Sequence, residues 1–193
     1  MTRILLMDAD QINGHWSPPP FSHYNSRVTQ PLAPGQPAPT FSLTAVGSGR
    51  VFQPADHLGR PLLLLFVDHN TGRASQPIVE TLRRRYADHR QLAIAVVVDV
   101  RIVPRLLRGM AEGMMESSYR EVAAALPDGY DAADHLILLP DWSGDVVRAY
   151  GVGNVSREIA LVFIGPDGQV RAGYHGPNPA AQALEMARAL LDD

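Results

Sequence analysis

The chain contains no cysteine among its 193 residues. It can therefore form no disulfide, present no thiolate nucleophile and build no cysteine-ligated metal site. Lysine is absent as well, since all 17 basic residues are arginine, and Schiff-base chemistry through a lysine amine is excluded with it. Together the two absences remove thiol and amine side chains from the chemistry that this chain could perform by itself.

Long apolar stretches and runs of like charge are also scarce. The apolar run at residues 62–67 is far shorter than the ~20 residues that a membrane-spanning helix needs. Ahead of Asp8 stand only four consecutive apolar residues, whereas a secretory signal carries about 7–15. Net charge is −3, and the one cationic cluster, Arg83, Arg84 and Arg85, falls inside a predicted helix. We expect a cytoplasmic protein with no nucleic-acid partner and no membrane insertion.

What is present is material for one folded domain. Apolar residues make up 46% of the chain and charged residues 19%, which is typical of globular proteins. Residues 1–36 are predicted to form a proline-rich extension, because clustered prolines fit neither a helix nor a central strand. Trp16, Phe21 and Tyr24 could anchor this extension, or it could be a free tail. The domain itself is predicted to span residues 37–193.

Apolar periodicity divides this domain into alternating strands and helices. A small hairpin with a glycine-bearing turn is predicted between residues 41 and 52. Five apolar segments are typical of strands, at residues 62–67, 92–98, 136–139, 159–164 and 170–174. Four segments have helical spacing, at residues 75–87, 104–126, 145–150 and 178–191, the second with a possible break near Gly113 or Ser117. This order predicts an α/β sandwich with a mixed central β-sheet flanked by helices.

Four segments also resemble, in order and spacing, the motifs of one known family. Residues 34–43 resemble its opening G-x-x-A-P-x-F-x-L, residues 58–66 its strand entry L-x-G-K-P-V-V-L-x-F, residues 146–152 its helix end A-x-x-Y-G-V, and residues 161–168 its T-F-L-I-D-x-D-G. The family is the redoxins, the thioredoxin-fold group that includes peroxiredoxins and thiol reductases. The resemblance covers roughly residues 34–190 and implies a thioredoxin-like fold.

The resemblance also implies where the family's active site would lie. The two cysteines of its C-x-x-C motif correspond to Thr71 and Ala74, and so do the threonine and cysteine of the peroxiredoxin T-x-x-C motif. The family's cis-proline position is occupied by Ile159, so this peptide bond is expected to be trans. Arg157 is the candidate for the arginine that assists a peroxidatic cysteine, although it lies two residues out of register.

Loss of both cysteines removes the thiolate that peroxide reduction and disulfide exchange require. We therefore assign no catalytic residue, no cofactor and no metal. Thr71 could act as a nucleophile only with a positioned base, for which His69, two residues away, is the candidate. The histidines show no metal-binding spacing, so a site joining Asp68 and His69 to His135 or His175 would depend on folding.

The polar residues around Thr71 allow two interpretations. A small polar or anionic ligand could bind at the start of the following helix, through residues Asp68, His69, Asn70, Thr71, Arg73 and Arg157. Alternatively, the aspartate and asparagine side chains of this loop simply accept or donate hydrogen bonds within a solvated turn.

Three functions remain open from the sequence. The first is a cysteine-free pseudoenzyme that acts by association, either as a homodimer or with another protein. Contact surfaces for it would be the proline-rich extension and the helix that carries Met110, Met114 and Met115. The second is a ligand sensor or non-thiol enzyme that uses residues 68–74. The third is a redox partner whose thiol is supplied by another protein.

Overall fold

A computed structural model describes residues 31–192. The predicted extension before residue 31, with its three aromatic anchors, lies outside the described residues. Seven strands are present: β1 (Leu43–Thr44), β2 (Val51–Phe52), β3 (Leu62–Val67), β4 (Ala93–Asp99), β5 (Ile137–Asp141), β6 (Ala160–Ile164) and β7 (Val170–His175). Five α-helices accompany them: α1 (Ser75–Arg85), α2 (Arg108–Ala124), α3 (Ala132–His135), α4 (Asp145–Ala149) and α5 (Pro179–Leu191).

The central sheet has five strands in the order β5-β4-β3-β6-β7. Strands β3, β4 and β5 run parallel, whereas β6 and β7 pair antiparallel to their neighbours. Every residue of β3 is buried, as expected for a central strand that is covered on both faces. Strands β1 and β2 form the separate antiparallel hairpin. The predicted mixed α/β sandwich is therefore confirmed.

Alternation along the strands divides the interior into two cores, one on each face of the sheet. In β3, Leu62, Leu64 and Phe66 lie in the core that α4 and the β1–β2 hairpin cover. Leu63, Leu65 and Val67 lie in the opposite core, which α1 and α5 cover. Both faces of the sheet are thus closed by short amphipathic elements.

Helix α2 differs from the other long helices because none of its 17 residues is buried. It is continuous through Gly113 and Ser117, so the predicted break is absent. Arg108 and Tyr119 are among its contacts with the domain. The Arg108 guanidinium carbon lies 5.0 Å from the centre of a Trp142 ring, and the Tyr119 ring occupies the space where Gly47 lacks a Cβ. Among residues 31–192, no helix is long and apolar enough to cross a membrane.

Residues just before the predicted domain start are joined to the sheet by backbone hydrogen bonds. The Gly35 N–H donates to the Val170 carbonyl, and the Val170 N–H donates to the Gln36 carbonyl, each at 2.8 Å. Leu32 packs against the core beneath β3. The part of the predicted extension that the structure describes therefore lies along the start of β7.

Candidate functional site

The candidate site is the loop of residues 68–74, hereafter the 68–74 loop, which joins β3 to α1. It leaves the sheet at the carboxyl end of a parallel strand, the edge where ligands commonly bind in α/β folds. The chain passes through a 3₁₀ turn at Gly72–Ala74 before α1 begins at Ser75. Of the candidate residues, Asp68, His69, Asn70, Thr71 and Arg73 lie in this loop, and Arg157 lies in the loop before β6.

Asp68 is buried, and its carboxylate accepts hydrogen bonds from within its own loop. Its Oδ1 accepts from the backbone N–H of Asn70 at 2.8 Å and from that of Thr71 at 3.1 Å. Its backbone carbonyl accepts from the Gly72 N–H at 2.8 Å. This is the turn pattern expected of an aspartate at a strand end, and it commits one carboxylate oxygen to the backbone.

The hydroxyl of Thr71 is also fully engaged. Its Oγ1 accepts a hydrogen bond from the Asp68 N–H at 3.0 Å and lies 2.8 Å from the carbonyl of Val155, to which it donates. A hydroxyl has a single proton to donate, and here that proton joins the 68–74 loop to the loop before β6. The side chain is buried, so this oxygen links two loops and is not poised to attack a substrate.

His69 does not approach the Thr71 hydroxyl as a base. Its side chain is 63% exposed, and its Nδ1 lies 3.6 Å from Asp68 Oδ2. The structure therefore does not assemble the threonine–histidine pair that the sequence suggested.

The two other family positions are also chemically inert. Ala74 is exposed and precedes α1, where no side chain caps the helix. Ile159 is buried in the core beneath α1 and α5, and its peptide bond is trans, since residues 31–192 contain no cis peptide bond. An alanine methyl group supplies neither a lone pair nor an ionisable proton at the position of the family's nucleophile.

Arg73 and Arg157 are exposed cations near the loop, and the exposed carboxylate of Glu158 follows Arg157 directly. Within residues 31–192, neither guanidinium has a carboxylate within 4.0 Å. Their loops are joined through the Thr71–Val155 hydrogen bond. The structure thus brings both arginines to one end of the sheet with their charges facing solvent.

Sequence reasoning did not recognise that Asp99 and Asp141 end neighbouring strands at the same sheet edge, where their Cα atoms are paired. Asp141 is 1% exposed; its Oδ1 accepts from the Gly144 N–H at 2.8 Å and its Oδ2 from the Val147 N–H at 3.0 Å. Asp99 pairs with Arg101 at 2.9 Å. The signal in the sequence that could have revealed this pair is an aspartate at the end of each of the two apolar segments. The bonds show that these carboxylates organise loops.

A metal centre does not form from these groups. In the part of the chain that the structure describes, no three histidine or acidic side chains are close enough together to hold a metal ion. His135 lies instead beside His89 and Tyr130, with ring centres 5.2 and 4.6 Å away. The alternative that joined His135 to Asp68 and His69 is wrong, because His135 packs in a separate aromatic cluster.

Comparison with solved structures identifies the architecture. A thioredoxin-family thiol:disulfide interchange protein from Chlorobium tepidum superimposes with a TM-score of 0.55 at 16% identity, covering 83% of this chain and 98% of that one. The exposed lipoprotein thioredoxin Etrx1 of Streptococcus pneumoniae superimposes with a TM-score of 0.52 at 19% sequence identity. The match covers 79% of this chain and 100% of that one. A secreted disulfide oxidoreductase of Mycobacterium tuberculosis superimposes with a TM-score of 0.51 at 18% sequence identity. The match covers 78% of this chain and 96% of that one. This chain has a thioredoxin-like fold.

No family model matches the chain, and no curated protein matches it significantly by sequence. Since these structural neighbours are below 25% identical in sequence, the similarity establishes only the fold. The function has to be argued from the residues of the candidate site. The thioredoxin-like fold expected from the redoxin resemblance is confirmed. This chain, however, contains none of the cysteines on which thiol chemistry depends. The specifically peroxiredoxin-like part of the resemblance stays a prediction.

Proposed function

We propose that this chain is a non-catalytic member of the thioredoxin-like fold that acts by association with a protein partner. The observation that carries the proposal is the state of the two cysteine positions. Thr71 uses its hydroxyl to join two loops, and Ala74 has no reactive atom. A thiolate is required for disulfide exchange and for peroxide reduction, so both reactions lack their nucleophile here.

Exposed apolar side chains support association as the remaining activity. Large apolar residues at the start of α2 and just before it are accessible to solvent, with Leu106 97%, Met110 63% and Met114 66% exposed. Contiguous apolar patches on soluble proteins commonly mark interaction surfaces. Methionine is well suited to such surfaces, because its flexible thioether adapts to a partner.

Insulin-reduction and peroxide-consumption assays test the catalytic half of the proposal. We expect no turnover by the purified protein. A T71C/A74C double variant is the matched control, because it restores both family cysteines in the same loop and shows whether the assay would detect a working site. Turnover by the unmodified chain, purified free of other proteins, would contradict the proposal.

Native mass tests the associative half. We expect protein purified gently from its own host to migrate above 21.0 kDa, either as a multiple of that mass or with an additional chain. A bare 21.0 kDa particle at the concentration found in the host would contradict association.

Small-anion binding is a second candidate, and the solvent-facing charges of Arg73 and Arg157 favour it. Calorimetric titration with inorganic phosphate tests this function, with R73Q/R157Q as the variant and R84Q, which lies on the exposed side of α1, as the control. Saturable binding that only R73Q/R157Q abolishes would support it. Equal heats of binding for the wild type, R73Q/R157Q and R84Q would contradict anion binding by Arg73 and Arg157.

A further inference from the structure

Helix α2 is the least anchored of the three long helices. Its partly buried residues are three or four positions apart and therefore form a single line along the helix: Arg108, Ala111, Met115, Tyr119 and Ala123. None of the 17 residues of α2 is fully buried. Helix α2 makes its most extensive contact with the 3₁₀ turn directly before it, whereas α1 and α5 pack against each other. Packing against the described residues therefore contributes little to holding α2 in its helical form.

Two glycines inside α2 weaken the helix and serve no packing purpose. A Cβ added at Gly109 or at Gly113 would meet no described atom within 4 Å, so no close approach of the domain requires glycine at either position. Neither residue has a positive φ, so the backbone conformation does not require glycine either. Glycine destabilises a helix relative to alanine, because the unfolded glycine has more conformational freedom to lose.

The charges of α2 are also unfavourable for a helix. Its first turn has no acidic residue and its last turn no basic one, whereas α1 and α5 carry arginine in their last turns, where the helix dipole favours a cation. Glu112 and Glu116 are four positions apart, a spacing at which like charges repel. Among residues 31–192, no salt bridge involves a side chain of α2. Local interactions therefore do not replace the missing tertiary packing.

The connections on both sides allow α2 to open separately from the sheet. In proteins, most of the stability of a helix comes from tertiary packing, and segments with few buried apolar contacts open at low free energy while the core stays closed. Residues 100–107 contain Pro104, and residues 125–131 contain Pro127. Because proline interrupts helical hydrogen bonding, unfolding of α2 need not extend into β4 or α3.

We propose that α2 is an order–disorder element, which unfolds and refolds as a unit while the sheet, α1 and α5 stay folded. The exposed side chains of Leu107, Met110 and Met114 share one side of the helix, so they form a continuous apolar surface only while α2 is helical. The equilibrium of α2 thus regulates whether this surface is present. The regulatory consequence rests on the proposed function, whereas the unfolding of α2 holds whatever the chain binds.

Hydrogen exchange, measured peptide by peptide on the full chain at a concentration where it is monomeric, tests the proposal. After correction for intrinsic exchange rates, we expect the amides of residues 112–124 in α2 to exchange at least 100 times faster than those of residues 79–85 in α1. Dilute urea should accelerate the exchange of α2 less than that of α1, because a local opening exposes less surface than global unfolding. Equal protection of the two helices would overturn the proposal.

The G109A/G113A variant tests the physical cause. Alanine fits at both positions, since the added Cβ meets no described atom, and we expect the exchange of α2 to slow by about tenfold while that of α1 is unchanged. Gly72→Ala is the matched control, because a Cβ at Gly72 also meets no described atom within 4 Å and this residue lies in the turn before α1. Unchanged exchange of α2 in G109A/G113A, or equal slowing in G72A, would contradict the proposal.

Trypsin provides an independent measurement, since every basic residue of this chain is arginine. Arg120 in α2 and Arg84 in α1 are both exposed, so side-chain accessibility does not distinguish them. Cleavage inside a helix requires the helix to open, and we expect the cut after Arg120 to form at least ten times faster than the cut after Arg84. Faster cleavage after Arg84 would show that α1 opens first and would refute the proposal. Neither measurement involves insulin turnover, peroxide turnover or native mass, so failure here is distinct from failure of the proposed function.

Discussion

Helices α1 and α2 both follow strands of the parallel part of the sheet, yet they meet the domain in opposite ways. Helix α1 has 11 residues and buries Ser75, Ile78 and Leu82 against the sheet. Helix α2 has 17 residues and buries none. Both helices expose charged side chains, such as Arg84 and Arg85 on α1, but α2 also exposes Met110 and Met114.

This difference separates the loop that corresponds to the cysteine positions of redoxins from the exposed apolar surface on which the proposed association rests. At the start of α1, Asp68 and Thr71 satisfy one another and the backbone, so the loop stabilises the fold. Along α2, the apolar surface has no partner among the described residues. This contrast supports the association proposed above.

The contrast is tested most strongly by truncating one apolar side chain in each helix. Leu82→Ala in α1 removes a side chain that is 0% exposed, and we expect it to lower the free energy of unfolding by about 2–5 kcal/mol. Met114→Ala in α2 is the matched change, and we expect a loss within about 0.5 kcal/mol. Urea unfolding followed by circular dichroism, at a concentration where both proteins are monomeric, measures the two values. Equal losses would show that α2 packs as tightly as α1.

A smaller effect is expected from the loop that precedes α1. Thr71→Val keeps the shape of the side chain but leaves the Asp68 N–H and the Val155 carbonyl without their partner. Because unsatisfied buried polar groups are costly, we expect a loss of about 1–3 kcal/mol. Arg73→Gln in the same loop is the control and should change stability by less than about 0.5 kcal/mol. If Thr71→Val were as stable as the wild type, the structural role of the hydroxyl would be wrong.

Most of this fold could be predicted from the sequence, because apolar runs and turn residues act locally. The buried run Leu62–Val67 and the glycine-bearing turn between β1 and β2 appear where the pattern placed them. The hydrogen bond from Thr71 to Val155 could not be predicted, since it joins residues 84 positions apart. The same holds for the alignment of Asp99 with Asp141, which depends on strand register.

For α2, the sequence supplied the helix but not its orientation. The methionines indicated either a core or an interface, and periodicity alone does not distinguish the two because both need an apolar stripe. Only the packing of Tyr119 on Gly47 and of Arg108 on Trp142 decides that Met110 and Met114 face outward. Tertiary contacts therefore determined the part of the molecule on which the proposed interaction depends.

A third measurement sharpens the contrast between satisfied and unsatisfied buried polar groups. His57 is 8% exposed and packs at a tilt against the Phe52 ring, and its Nδ1 has no hydrogen-bond partner among the described residues. Burial, aided by the positive charge of Arg60 and opposed by Asp56, lowers the pKa of His57 from 6.5 to about 4. Between these two pH values the unfolded chain binds the proton and the folded chain does not, so acidification favours unfolding.

We therefore expect the free energy of unfolding to fall by about 1 kcal/mol between pH 7 and pH 5.5 through His57 alone. His57→Gln removes this titration while the other histidines still contribute, so the difference between the two pH profiles isolates the His57 contribution. Urea unfolding of both proteins at the two pH values measures that difference. Parallel profiles would show that His57 is protonated as readily in the folded chain as in the unfolded one. In that case burial against Phe52 would not penalise the charged form of the His57 ring, and the lowered pKa would not describe the folded chain.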